Sequence, residues 1–181
     1  MELSVREIQI EDIDPLLNYW FTSTPEHLIG MGADPKKLPP RDVFRKNLEQ
    51  QIGQSYPEKK SYALIWWNEN QPIGHSNVND IIFGKSAFMH LHSWYPKNRK
   101  KGMGAQLLRN TLPYYFKNLE LEVLYCQPYA LNPAPNRTLP KLGFEFLKKY
   151  SCIPGYLNFE QEVNLYQLTK ERFEQLHLNG E

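Results

Sequence analysis

Residues 94–108 read WYPKNRKKGMGAQLL, an aromatic strand end, a basic turn, two glycines one residue apart and an apolar helical run. Lys97, Arg99, Lys100, Lys101 and Arg109 are basic, and no acidic residue stands among them. Gly102 and Gly104 carry no Cβ, so backbone can come close to a ligand there, and the helix that follows aims unpaired N–H groups at the turn. Together with the positive end of the helix dipole, this predicts an anion site suited to a phosphate or pyrophosphate.

The stretch lacks the Gly-Lys-Ser/Thr ending of a nucleotide-binding P-loop and the third glycine of a dinucleotide fingerprint. A nucleoside triphosphatase or a Rossmann dehydrogenase is therefore disfavoured, and a solvated basic turn capping a helix is the plainer competing account. The formal net charge of the 181 residues is +1, which gives no basis for an extended nucleic-acid surface. A near-neutral chain with one basic turn suits a small polyanion better. No run of about 18 apolar residues occurs and the first ten residues do not look like a leader, so the expectation is a soluble, cytoplasmic protein without a membrane partner. The length predicts one domain over residues 1–181. Cys126 and Cys152 lie in apolar segments without metal-ligand spacing and are expected as free thiols.

Hydrophobic period predicts a strand over 3–10, then a helix from Asp14-Pro15 through Trp20 and a short one opened by Thr24-Pro25-Glu26. A proline-rich solvated connection over 33–40 and a helix over 41–52 follow. This insertion between the first two strands, residues 21–60, is expected to shape an acceptor side of the site. Strands over 62–67, 73–83 and 86–95 form an antiparallel meander that ends at the basic turn. A helix over 103–117 should be kinked or broken by Pro113. A strand over 121–127, a short helix over 133–142 ending at Gly143, and a strand pair over 144–153 and 158–168 complete the order. The tail over 169–178 is either a last helix turn or frayed. The expected class is α/β (α+β), a mixed and mostly antiparallel sheet of about seven strands with helices on both faces.

Arg99-x-x-Gly102-x-Gly104 resembles the acyl-CoA-binding motif of the GNAT superfamily of N-acyltransferases. Asn132-Pro-Ala-Pro-Asn136-Arg-Thr-Leu139-Pro-Lys141-Leu-Gly143-Phe144 resembles that family's fourth-helix signature, with its nearest likeness in the ribosomal-protein alanine acetyltransferase branch. The two motifs together cover roughly residues 86–144. The resemblance implies acetyl-CoA as cosubstrate, transferred directly to an amine acceptor. It also implies that the turn (Arg99, Lys100, Lys101, Gly102, Met103, Gly104, Ala105) holds the coenzyme A pyrophosphate. Asn132 and Asn136 belong to the cofactor side, and the backbone of His92 and Trp94 would bind the pantetheine and thioester. The chain departs from the family twice: Leu139 stands where many members place an acidic tyrosine, and Pro135 where the ribosomal-protein branch places a serine. A catalytically weak acyl-CoA-binding or sensing module is thus the competing function. Tyr129, just before the helix, is a candidate replacement acid, or an aromatic that only packs.

Period two along residues 86–95 puts Phe88, His90, His92 and Trp94 on one face. An alkyl ammonium near pKa 10 must lose a proton before it can attack a thioester, and a histidine near 6.5 suits that task. His90 is the candidate base, matching a position where serotonin N-acetyltransferase-like members carry a histidine, and Asp80 on the neighbouring strand is the second. Half-buried histidines that only hydrogen-bond are the plainer account of both rings. His90-x-His92 lacks carboxylate or cysteine partners, so no metal is expected. A monomer or a homodimer is equally compatible.

Overall fold

The computed structural model describes residues 2–95 and 102–178. Seven strands form one sheet in the order β1-β2-β3-β4-β5-β7-β6. They are β1 (Leu3–Glu7), β2 (Ser61–Asn68), β3 (Gln71–Ile82), β4 (Ser86–Ser93), β5 (Val123–Cys126), β6 (Glu145–Cys152) and β7 (Gln161–Thr169). Every neighbouring pair is antiparallel except β4 and β5, which run parallel because helix α4 (Met103–Asn118) carries the chain between them.

Both faces of the sheet are covered, and β2 shows how one sequence serves two cores. Tyr62, Leu64 and Trp66 point into the cluster under α4, whereas Ala63 and Ile65 point into the cluster under α1 (Ile13–Thr22), α2 (Pro25–Gly30) and α3 (Arg41–Gly53). Strict alternation in a central strand leaves no polar face, which is why SYALIWW is apolar nearly throughout. Helix α1 buries Ile13, Leu16, Leu17 and Trp20, the one-sided spacing of an amphipathic helix. Thr24 caps α2 by accepting from the His27 N–H at 3.3 Å.

One expectation is corrected and two are narrowed. Pro113 does not break α4, which continues to Asn118. A proline inside a helix costs ~3 kcal/mol, and the adjoining Leu112, Tyr115 and Phe116, buried at ~1.5–3 kcal/mol each, offset it. Polar pins add to this hold, since the Tyr115 hydroxyl donates to Ser76 Oγ and Trp66 Nε1 to Thr111 Oγ1, both at 2.9 Å. The connection over 33–40 is not wholly solvated: Ala33 is buried and bridges Asn158, and Pro35–Lys37 form a single 3-10 turn. The tail is helix α6 (Lys170–Leu178), whose Phe173 stacks on Phe116 at 4.5 Å.

Candidate active site

Strand β4 pairs with β5 only from Ser86 opposite Val123 to Met89 opposite Cys126. Beyond Met89 the two strands part, and β4 runs on alone on that side through Ser93. On its other side β4 stays paired to β3, with His75 opposite His92 and Asn77 opposite His90. The Trp94 N–H donates to the Ile73 carbonyl at 2.9 Å. Backbone groups of successive residues in an antiparallel strand face opposite neighbours, so His90, His92 and Trp94 direct their N–H groups to β3. Leu91 and Ser93 direct theirs toward the β4–β5 gap, the side on which the Met89 carbonyl accepts from the Cys126 thiol at 3.2 Å. The backbone assignment is corrected accordingly: the amides facing the gap are those of Leu91 and Ser93 rather than His92 and Trp94.

Along the chain, α4 is the element that follows β4. Gly102 adopts a left-handed φ of 71° at the helix N-cap, and a Cβ there or on Gly104 would meet open space among the described residues. Ala105 N–H donates to the Gly102 carbonyl at 3.2 Å, closing the first turn. The N–H groups of Met103 and Gly104 lie ahead of it, where no carbonyl of the helix can reach them. Arg99, Lys100 and Lys101 lie outside the described residues.

Helices α1 to α3, strands β3 and β4, the connection after β5 and the β6–β7 connection line a partly open pocket of about 160 Å³. His90 and His92 line it as the alternation of β4 requires, joined by His75, Asn77 and Asn79 from β3. His75 and His92 stack at 4.5 Å with planes 16° apart, and Trp94 Nε1 donates to His75 Nδ1 at 2.8 Å. The Tyr19 hydroxyl lies 3.4 Å from His92 Nδ1 and 3.2 Å from His27 Nε2. Burial pushes His75 down to about 3 and His90 down to about 4, with His90 partly compensated by the charge of Asp80. It also holds His92 well below the usual value, helped by the neighbouring His75, His90 and His27 rings. All three rings are therefore neutral at pH 7. His90 keeps part of its surface toward the pocket, and its basicity is weaker than an exposed histidine's.

Asp80 is exposed, with a positive φ of 49° at an irregularity in the β3–β4 register. Its carboxylate is outside the pocket lining, although its charge reaches His90. Tyr129 lines the pocket, its ring edge-on to Phe159 at 5.7 Å, and its hydroxyl makes no hydrogen bond among the described residues. Asn132 caps α5 (Pro133–Thr138) by accepting from Ala134 N–H. The Asn136 amide is fully engaged: it donates to the Tyr129 and Asn132 carbonyls and accepts from Asn164 and the Tyr166 hydroxyl. It anchors α5 to β7 and has no side-chain valence left for a cofactor. Leu139 is fully buried and carries no proton to give. Gly143 ends the 3-10 turn Pro140–Leu142 in the left-handed conformation.

The residues that sequence reasoning left out are His75, Asn77, Trp20 and Tyr19. The first two follow from the β3–β4 register once it is known, because partners across a strand share a face. The other two come from α1, whose docking over the sheet no local pattern announces.

Residues 2–145 match a family model described as an acetyltransferase (GNAT) domain. No curated protein matches the sequence. Among solved structures, the spermidine N-acetyltransferase of Vibrio cholerae in complex with CoA and spermine superposes with a TM-score of 0.76 at 16% identity, covering 95% of this chain and 98% of that one. RimL, a ribosomal L7/L12 alpha-N-protein acetyltransferase in complex with coenzyme A, gives 0.74 at 16% identity over 92% and 93%. A GNAT-family acetyltransferase from Bacillus anthracis gives 0.68 at 19% identity over 94% and 96%.

Proposed function

This chain belongs to the GNAT acetyltransferase family, and from that premise we propose that it transfers an acetyl group from acetyl-CoA directly to a primary amine, with no covalent enzyme intermediate. The observation that carries this reading is the parting of β4 from β5 immediately before the Gly102-capped helix. A pantetheine arm laid in the gap meets backbone donors along its length, and the pyrophosphate at its far end meets the amides of Met103 and Gly104 at the positive end of α4. The thioester is thereby delivered beside His90, and the acceptor nitrogen enters from the pocket side.

The amine nitrogen attacks the thioester carbonyl, a C–N bond forms, and the C–S bond breaks as the tetrahedral adduct collapses. His90 takes the nitrogen's proton, directly or through one water, and the departing thiolate is protonated by Tyr129. Asp80 acts on His90 only through its charge. Thiol release from acetyl-CoA in the presence of an amine panel tests the proposal, with calorimetry of coenzyme A binding beside it. Leu139, buried where many family members carry an acid, favours a second reading as a weakly catalytic acyl-CoA-binding module. That reading expects tight binding and no thiol release with any amine.

A further inference from the structure

We infer that the acceptor is a small aromatic amine, taken into the pocket in its neutral form. This rests on the acetyltransferase reading above and goes on to name the acceptor class. The pocket wall contains no aspartate, glutamate, lysine or arginine among the described residues. Its polar groups are asparagines, glutamines, a serine, tyrosines and three histidines that burial keeps neutral. An alkyl ammonium entering such a space gives up its hydration for no counter-charge, the costly case for a buried ion. A polyamine, with several ammonium groups, does so repeatedly.

Size and wall chemistry point the same way. The pocket is partly open to solvent and its volume is about 160 Å³, room for a ring the size of benzene, which a closed cavity of about 150 Å³ holds. Trp20, Phe44, Leu16 and Leu48 supply an apolar wall for that ring from the insertion side. Asn77, Asn79 and Tyr129 supply groups that can hydrogen-bond an amino nitrogen from the sheet side. Offset or edge-on contact with Trp20 and Phe44 would orient a flat ring as it could not orient a flexible polycation.

The proton bookkeeping also fits. An alkyl ammonium with a pKa near 10 faces a base that burial pushes down to about 4, too weak to draw off its proton before attack. An aromatic amine arrives unprotonated, because its lone pair is delocalised into the ring. Its nitrogen becomes acidic only after it has attacked the thioester, and the neutral His90 imidazole is then strong enough to take the proton. The nitrogen gains the acetyl group and loses one hydrogen, while the sulfur leaves as thiolate and gains one. No oxidant, reductant or further reactant is required.

The test uses the full chain with acetyl-CoA at pH 7 and measures thiol release with 4-methylaniline, phenethylamine, spermidine and an alanine-terminated tetrapeptide at equal concentration. The expected result is a kcat/KM for 4-methylaniline above that for phenethylamine by about 10²-fold or more, with spermidine silent. Preference for phenethylamine, spermidine or the peptide overturns the acceptor class and leaves the transferase intact. Silence of 4-methylaniline while acetyl-CoA binds by calorimetry also overturns it. Failure of acetyl-CoA to bind overturns the transferase reading itself, and with it this inference.

Discussion

Nε1 of Trp94 donates to Nδ1 of His75 at 2.8 Å, and because an indole nitrogen can only donate, the His75 ring is held as the neutral Nε2–H tautomer. The contact ties the first residue beyond β4 to β3 beneath the histidine stack, where burial keeps the His75 ring neutral down to about 3. An unfolded chain protonates that histidine near 6.5, so between the two values the unfolded state binds the extra proton. Stability is thus complete above about pH 6.5 and falls as pH drops toward 3. Urea midpoints at pH 7 and pH 5 should differ, by up to ~1.4 kcal/mol per pH unit for each buried ring. His75→Gln, which can still accept from Trp94, should remove one ring's share of the dependence and leave that of His90 and His92. Equal midpoints for the parent protein at the two pH values would contradict the burial argument.

The anion turn gives a second expectation. Gly102 has a φ of 71°, a conformation that a β-branched residue strongly disfavours, and Gly104 stands one residue into the helix start. Gly102→Val and Gly104→Val should abolish coenzyme A binding in calorimetry while circular dichroism shows the fold intact. Arg99→Ala should weaken binding by ~1–3 kcal/mol, the loss of one charged hydrogen bond. Unchanged affinity in both glycine variants would move the cofactor away from α4.

What was legible in the sequence, and what was not, divides along the range of the interactions. The meander, α4 and the Gly143 stop are written in local period and turn chemistry. The direction of the β4 amides is not, because it depends on which residue lies opposite which across β3. Asp80 shows why that count is hard to make. Ile82 pairs with Ser86 but Asn79 pairs with Phe88, so β3 spends three residue steps where β4 spends two. Asp80 lies in this bulge with its φ of 49°, and the bulge returns His75, Asn77 and His90 to one face. A carboxylate that resembled a second catalytic base is first of all the residue that re-registers the sheet. The lowered basicity of His90 was likewise hidden, because it comes from burial in the folded chain, which the strand's own sequence does not announce.

Tyr129 offers a third expectation. Tyr129 lines the pocket and its hydroxyl has no hydrogen-bond partner among the described residues, beside a helix whose Leu139 is buried and apolar. If the phenol protonates the leaving thiolate, Tyr129→Phe should lower kcat while the dissociation constant for acetyl-CoA stays the same, since only an interaction of the transition state is removed. A kcat equal to that of the parent protein would leave solvent as the proton donor and reduce Tyr129 to a packing partner of Phe159.

His90 carries the last expectation, and its pH dependence differs from that of an ordinary histidine. A general base works in its neutral form, and burial pushes His90 down to about 4, so the active form persists from alkaline pH down to about pH 5. For an acceptor that does not itself titrate in this range, kcat/KM of the parent protein should be flat from pH 9 to about 5. It should then fall toward pH 4, the sign expected when protonation removes a base. His90→Gln keeps a hydrogen-bonding side chain without a titrating ring and should lower kcat/KM by ~10² near pH 7. With an alkyl amine as acceptor, that deficit should shrink as pH approaches 10, because free amine accumulates and hydroxide can take the proton released after attack. Full activity of His90→Gln at pH 7 would return His90 to packing and transfer the role to Asp80, whose exposed carboxylate would have to act through water. A parent profile that declines already at pH 6.5 would show that the pocket is wetter around His90 than its burial implies.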